Sequence, residues 1–438
     1  MADKPKVALI GAGSRAFGLT VATDLLTFPE LDGLTISLMD INKESLELTA
    51  SFVKRLVQER GLKARVEVTT NRREAIADAD YVVASIRSGG MQATKLDLEI
   101  PAKYGIEQGV ADTLGPGGIF YGLKNASTLL GIARDIEEAS PNAVFINYTN
   151  PMAINSWVIL ASTRLKYVGL CHSIPGTARE LANYMGIPYE ELSYTAAGIN
   201  HMAWFVELKW NGVNAYPLLN EKLDERVYTD PNHPAYRDLV RVEVFKSVGY
   251  YSAEDSNHLS EYLPYFRKDL ESLKKYRILN HEERLSLMEK REERKKQEAE
   301  KLKSAQALPF NRSGEFGPQV IYAMETGTTT KIYGNVKNTG LIPNLPYGSV
   351  VELPVFVDKG GFHPVYVGEL PPQLAALNRM DISAQELAVK AILEGSKERV
   401  FHALLADPLT SSHLSIREIR KMADEMLEAE APYLPPLN

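Results

Sequence analysis

The chain has one cysteine, Cys171, in 438 residues. A lone thiol forms no internal disulfide, which excludes a disulfide-stapled scaffold and fits a reducing compartment. No apolar run approaches the roughly 20 residues that span a bilayer. Positive charge is in deficit, with 49 Lys and Arg against 56 Asp and Glu and a formal net charge of −7. No electrostatic argument therefore favours nucleic acid or an anionic membrane as a partner. The opening Met1-Ala2-Asp3-Lys4-Pro5-Lys6 leads straight into a strand-like segment without a signal-peptide apolar core, so the expected location is cytoplasmic. Internal repeats and low-complexity linkers are also missing. What remains is a soluble globular composition, 45% hydrophobic and 24% charged, in a chain long enough for two domains.

Short apolar runs recur at 7–10, 35–39, 81–86, 144–148 and 167–170, with helix-like segments between them, including 16–26 and 43–58. This alternation predicts an α/β fold with a mostly parallel sheet covered on both faces. The pattern holds to about residue 190. Beyond it the chain reads as mixed α+β, with strands near 205–210, 331–333 and 350–357 and helices near 382–393 and 416–430. Two regions are expected, a Rossmann-type dinucleotide-binding domain over 1–190 and a second domain over 191–438. The charged stretch 281–304 reads as a solvated helix laced with i,i+4 ion pairs.

Gly11-Ala12-Gly13-Ser14-Arg15-Ala16 joins the first strand to the first helix and matches the relaxed G-x-G-x-x-A fingerprint. Gly11 permits the tight turn, Gly13 lets the backbone approach a pyrophosphate, and Ala16 lets the helix lie close to the strand. Ser14 opens the helix, whose free N–H groups favour phosphate. Asp40 ends the second strand, where a carboxylate accepts from a ribose diol and repels a 2′-phosphate. The expected cofactor is NAD rather than NADP.

Cys171-His172-Ser173-Ile174 follows the strand 167–170, at the end where doubly wound sheets place ligands. Gly198-Ile199-Asn200-His201 follows a further helix-like segment. A thiolate and an imidazole suit a transition metal. A lone cysteine is more often a small buried hydrophobe and a lone histidine more often a hydrogen-bonded structural residue, and two ligands so far apart are not a metal motif by spacing.

Taken together, GAGS at 11–14, DTLGPGG at 112–118, NPM at 150–152, CHSI at 171–174 and GINHMAW at 198–204 resemble glycoside hydrolase family 4. The likeness continues through EYLPYF at 261–266, NRSGE at 311–315, GNVKNTGLIPNLP at 334–346 and LPPQLAALNR at 370–379, and so covers the chain. The resemblance implies an NAD-binding Rossmann domain and a second domain closing over the sugar. It also implies a divalent metal, manganese-like, on Cys171 and His201. Such enzymes cleave glycosides by oxidation at C3, deprotonation at C2 and elimination, outside the two-carboxylate scheme.

His172-Ser173 resembles the members acting on unphosphorylated α-glycosides, notably the α-galactosidases; α-galacturonides and α-glucuronides are the alternative within the family. Phospho-glycosidase members tend to carry an arginine three positions before the acid of a D-x-x-I-P block. Here that block is Asp97–Pro101 and the position is Thr94, with Lys95 beside it. The resemblance assigns the base to Tyr262, with Asp255 as the other candidate, and the general acid to His172. Asn150, Asp112 and Asn200 are the expected sugar contacts, and a homodimer or homotetramer the expected assembly. From a different reaction class, an NAD-dependent 2-hydroxy-acid dehydrogenase would explain the Rossmann half alone.

Overall fold

The computed structural model describes residues 4–438, apart from the side chains of Arg15 and Ala16. Twelve strands form a single sheet. They are β1 (Lys6–Ile10), β2 (Thr35–Met39), β3 (Arg65–Thr69), β4 (Tyr81–Ala84), β5 (Val144–Asn147), β6 (Lys166–Leu170), β7 (Leu192–Ile199), β8 (Met202–Trp210), β9 (Val213–Asn214), β10 (Thr330–Lys337), β11 (Val350–Asp358) and β12 (Gly361–Pro364). The first six are parallel in the order 3-2-1-4-5-6, the doubly wound arrangement. Val7 to Ile10 and Val82 to Ala84 are buried on both sheet faces, which is why they read as unbroken apolar runs rather than alternating ones.

The intervening helices are built on simple local rules. In Lys43–Arg60 the buried residues Leu46, Ala50, Val53 and Leu56 recur at i, i+4, i+7 and i+10, and the Asn42 side chain accepts from Ser45 N–H at 3.0 Å as the N-cap. The first helix departs from expectation: a π-helical turn, Arg15–Leu19, precedes the α-helix Thr20–Leu26.

The sheet does not stop near residue 190. β6 pairs antiparallel with β10 through Gly169↔Asn335 and Leu170↔Gly334, and β11, β7 and β8 continue it. Helices Pro372–Glu394, Lys397–Ala406 and Ile416–Ala429 return to the first region. There Ala388, Phe401, Leu404 and Met422 share a core with Ile119, Leu123, Ile154 and Val158. Residues on either side of the expected boundary therefore share one sheet and one core. Deep in this packing Lys124 holds both Glu430 and Asp97, the latter at 2.6 Å, with all three side chains inaccessible. Burial and the neighbouring Glu430 push the Asp97 carboxyl up, opposed by the Lys124 ammonium. Asp97 thus ties its own helix to the carboxyl-terminal one.

The charged segment forms one helix, His281–Ser304, opened by a capping box between Asn280 and Glu283. Its Glu292–Lys295 and Glu300–Lys303 pairs lie at i,i+3 rather than i,i+4. The end of the helix is held, since Arg55 donates to the Leu302 carbonyl at 3.2 Å and to that of Ala305 at 2.6 Å.

Candidate active site

The site lies at the carboxyl ends of the parallel strands. The loop after β1 turns at Gly11, whose φ is +88°, and a Cβ there would fall 2.0 Å from the Ser85 carbonyl oxygen. The helix also approaches the loop closely at Gly18, where a Cβ would lie 2.3 Å from the Ala12 carbonyl oxygen. The Ala16 side chain itself lies outside the described residues. Gly13 N–H donates to Asp40 Oδ2 at 2.8 Å and Asn42 N–H to Oδ1 at 2.8 Å. Asp40 thus braces the loop, and each oxygen keeps a second lone pair for a ribose. Ser14 is exposed at the mouth of the turn. Backbone stripped of side chains beside a partly exposed carboxylate fits a dinucleotide.

Cys171 leaves β6, and His201 sits in the two-residue turn between β7 and β8, where Ile199 pairs with Met202. Sheet pairing brings these residues, 30 apart in sequence, to 3.4 Å between Sγ and Nε2. Both are buried, and His201 is held in the left-handed region at φ +64°. Its Nδ1 has no hydrogen-bond partner among the described residues. The exposed edge of this pair faces two groups that spacing did not single out. Glu254 Oε2 lies 3.5 Å from His201 Nε2, and the His258 ring stands edge-on to His201 with centroids 4.7 Å apart. Thiol, imidazole and carboxylate converging on one point form a donor set that fits a divalent transition metal.

Charge is unevenly spread here. Burial, with Glu352 and Glu254 nearby, pushes the Cys171 thiol up. Burial also pushes the Glu352 carboxyl up to about 7, although His201 and the Asn200 and Asn335 amides act against it. Burial opposes the His258 charge, yet Glu254 and Asp255 outweigh it and hold the imidazolium up at about 9. For Asp255, burial is overcome by His258, which keeps the carboxyl well below its usual range.

The other expected residues fall around this cluster. His172 is exposed beside Cys171, its Nδ1 4.0 Å from Glu315. Tyr262 is 2% exposed and donates its hydroxyl to the Asn200 carbonyl at 3.0 Å, one residue before His201. Asp255 caps helix Ser256–Tyr262 by accepting from Asn257 and His258 N–H at 2.7 and 3.0 Å. Asn150 donates to Asp112 Oδ2 at 3.4 Å, and Asp112 Oδ1 lies 3.7 Å from His258 Nε2. The buried Asn200 amide donates to Glu352 Oε2 at 3.3 Å. Thr94 is buried with its hydroxyl donating to Gly90 O at 3.0 Å, while Lys95 lies 3.7 Å from Glu289.

Glu254, His258 and Glu352 escaped the sequence reading. Two signals were available: an acid and a histidine four apart just before the Tyr262 segment, and one acid, Glu352, inside the otherwise apolar run Val350-Val351-Glu352-Leu353. A buried acid without an evident partner is costly enough to mark a site.

Residues 6–187 match the family 4 glycosyl hydrolases and residues 196–410 match the family 4 glycosyl hydrolase C-terminal domain. An α-galactosidase of Bacillus subtilis (strain 168) is 37% identical over 437 residues, covering 98% of this chain and 99% of the relative. Among solved structures, the putative glucosidase lplD from Bacillus subtilis superposes with a TM-score of 0.87 at 28% identity, covering 97% of this chain and all of the other. A 6-phospho-α-glucosidase from gut microorganisms, solved in complex with NAD and Mn2+, shares the fold with a TM-score of 0.85 at 22% identity, over 99% of this chain and all of the other. Both halves of the sequence and the geometry at their junction lead to one conclusion: the chain belongs to the family 4 glycosyl hydrolases.

Proposed function

We infer that this enzyme hydrolyses unphosphorylated α-glycosides, α-galactosides first among them, with NAD+ and a divalent metal, manganese, as cofactors. The observation that carries the reading is the meeting of Cys171 and His201 at 3.4 Å beside the glycine loop of a dinucleotide fold. When bound, the cofactors supply a hydride acceptor for sugar C3 and a Lewis acid for the C2 and C3 oxygens. Cys171 and His201 would hold the metal, while Gly11, Gly13, Ser14 and Asp40 would hold the dinucleotide. In this division, residues 1–190 carry NAD, and 191–438 close over the sugar and bring His201 to Cys171.

Tyr262 takes the proton from C2. A cation beside His201 favours its phenolate, and Asp255, the other candidate, is occupied in capping a helix. His172, exposed beside Glu315, gives a proton to the departing oxygen. Asp112 Oδ1 and Asn200 Oδ1 are buried acceptors with no hydrogen-bond partner among the described residues, suited to sugar hydroxyls, and Asn150 lies beside Asp112. Choice of an unphosphorylated sugar is supported by Thr94 and Lys95, whose polar ends are engaged by Gly90 and Glu289.

A panel of p-nitrophenyl α-glycosides with NAD+, Mn2+ and a thiol reductant tests the reading. The galactoside should turn over fastest, with no net NADH, and only when both cofactors are present. A faster galacturonide or glucuronide would move the sugar assignment within the family. Stoichiometric NADH would instead favour a dehydrogenase, and full activity after chelation and proven loss of NAD would overturn the cofactor reading.

Asp40→Ala is expected to weaken NAD+ binding by roughly 10–100-fold, the worth of a hydrogen bond to a charged acceptor. It should also narrow discrimination against NADP+. Because Asp40 also braces Gly13, the ratio of the two affinities, read by cofactor fluorescence titration, is the diagnostic quantity. A loosened loop weakens both cofactors alike, whereas lost repulsion lifts NADP+ relative to NAD+. An unchanged ratio would show that another residue reads the ribose.

We also propose a cytoplasmic location, supported by the lone buried thiol. Among the described residues no helix is long and apolar enough to cross a membrane. A homodimeric or homotetrameric assembly is proposed from the family resemblance, to be read by light scattering.

A further inference from the structure

Resting on the metal site just proposed, we infer that Glu254 supplies a third protein ligand to that metal, with His258 as the residue that orients it. Cys171 Sγ lies 3.4 Å from His201 Nε2, and Glu254 Oε2 lies 3.5 Å from the same nitrogen. All three ligand atoms fall within 4.8 Å of one another. That is the spacing of donors sharing one ion, since bonds of about 2.0–2.3 Å at open angles set neighbouring ligand atoms somewhat over 3 Å apart.

The two carboxylate oxygens have separate assignments. Oε2 faces His201, while Oε1 lies 3.6 Å from His258 Nδ1. At that distance the contact is an ion pair rather than a hydrogen bond, and through it His258 orients the carboxylate from beyond the ligand shell. His258 is in turn placed by Asp255, at 3.2 Å from the same nitrogen, and by Asp112, at 3.7 Å from Nε2. The Glu254 backbone is anchored as well, its N–H donating to Thr177 Oγ1 at 3.1 Å. Its side chain is 18% exposed, and besides the two imidazoles its oxygens lie within 4.8 Å of Cys171 Sγ and of an Asp255 oxygen, so a cation there would add counter-charge where two carboxylates crowd together. A Cys-His-Glu set combines soft, intermediate and hard donors, a mixture that would suit a divalent transition metal.

The test measures metal binding rather than turnover. Full-length protein is stripped with chelator and titrated with Mn2+ while free ion is followed by electron paramagnetic resonance. Glu254→Gln is expected to lose about 100-fold or more in Mn2+ affinity, at or beyond the roughly 10–100-fold cost of an outer-shell partner. Glu254→Asp should recover part of it, and NAD+ affinity and Tm should stay near wild type. Glu352→Gln, which removes a nearby buried acid that the proposal does not make a ligand, should cost less than Glu254→Gln. Affinity of Glu254→Gln within twofold of wild type, with Cys171→Ser still defective, would overturn the role of Glu254 and leave the Cys171–His201 site standing. Failure of the wild-type protein to bind Mn2+ would overturn both. Anomalous density from Mn2+-soaked wild-type crystals supplies a check that needs no variant: the ion should lie at bonding distance from a Glu254 oxygen, and an ion bound only by Cys171 and His201 would refute the assignment.

Discussion

Cys171→Ser is expected to abolish hydrolysis and metal binding while NAD+ binding persists. The thiol is buried against His201 Nε2 at 3.4 Å, whereas the glycine loop hangs from a different strand and is braced by Asp40. A serine hydroxyl is a poorer ligand for a borderline or soft divalent metal than a thiolate. The loss should therefore exceed the roughly 10–100-fold cost of removing an outer-shell partner. Burial and two nearby carboxylates push the free thiol up, so a cation bound there would be needed to make Cys171 a thiolate. Thiol oxidation should likewise inactivate the enzyme and reductant restore it. Metal content by mass spectrometry, NAD+ affinity by fluorescence and turnover by nitrophenol release read the three quantities separately. Normal metal content and turnover in the serine variant would remove Cys171 from the ligand set.

Product made in D2O is expected to carry deuterium at C2 of the released sugar. Hydrolysis through C3 oxidation and C2 deprotonation breaks the C2–H bond in every turnover, and the proton on Tyr262 exchanges with solvent. Displacement at C1 by a pair of carboxylates breaks neither bond and leaves C2 protonated. Substrate deuterated at C2 or C3 should react more slowly to the extent that either cleavage limits the rate. Tyr262→Phe should lose the label and turnover together while retaining Mn2+ and NAD+, because the deleted hydroxyl bonds the Asn200 carbonyl and Thr113 rather than a proposed metal or dinucleotide ligand. Reduced cofactor accumulating in that variant would show that C3 oxidation survives without the base. Proton NMR of the sugar decides the labelling, and a fully protonated C2 after complete hydrolysis would count against solvent-exchanged deprotonation. If Tyr262→Phe retains the label, the role of base passes to another residue, with Asp255 the first to test.

Much of this was legible in the chain itself, for a physical reason. Unbroken apolar runs at 7–10 and 144–146 mark strands buried on both faces, and the 3.6-residue spacing of Leu46, Ala50 and Val53 marks a helix face; both are local patterns. The dinucleotide turn is equally local, since Gly11 and Gly13 are dictated by backbone sterics within a few residues. The proposed metal ligands were reached only through family resemblance, because two donors 30 residues apart carry no spacing signal.

Tertiary structure decided the rest. Pairing of β6 with β10, and of β7 with β11, joins both regions in one sheet and thereby brings the β7–β8 turn to the end of β6. That pairing is set by burial and by backbone hydrogen bonds between distant segments, which no short window contains. Packing of distant segments likewise set Glu254 and His258 beside His201, and the pairing of β1 with β2 put Asp40 against the Gly13 N–H. The sequence alone determined which chemistry the chain carries, because residue types and local periodicity suffice for that. Only the folded sheet brought Cys171 to His201, because that meeting depends on strand order.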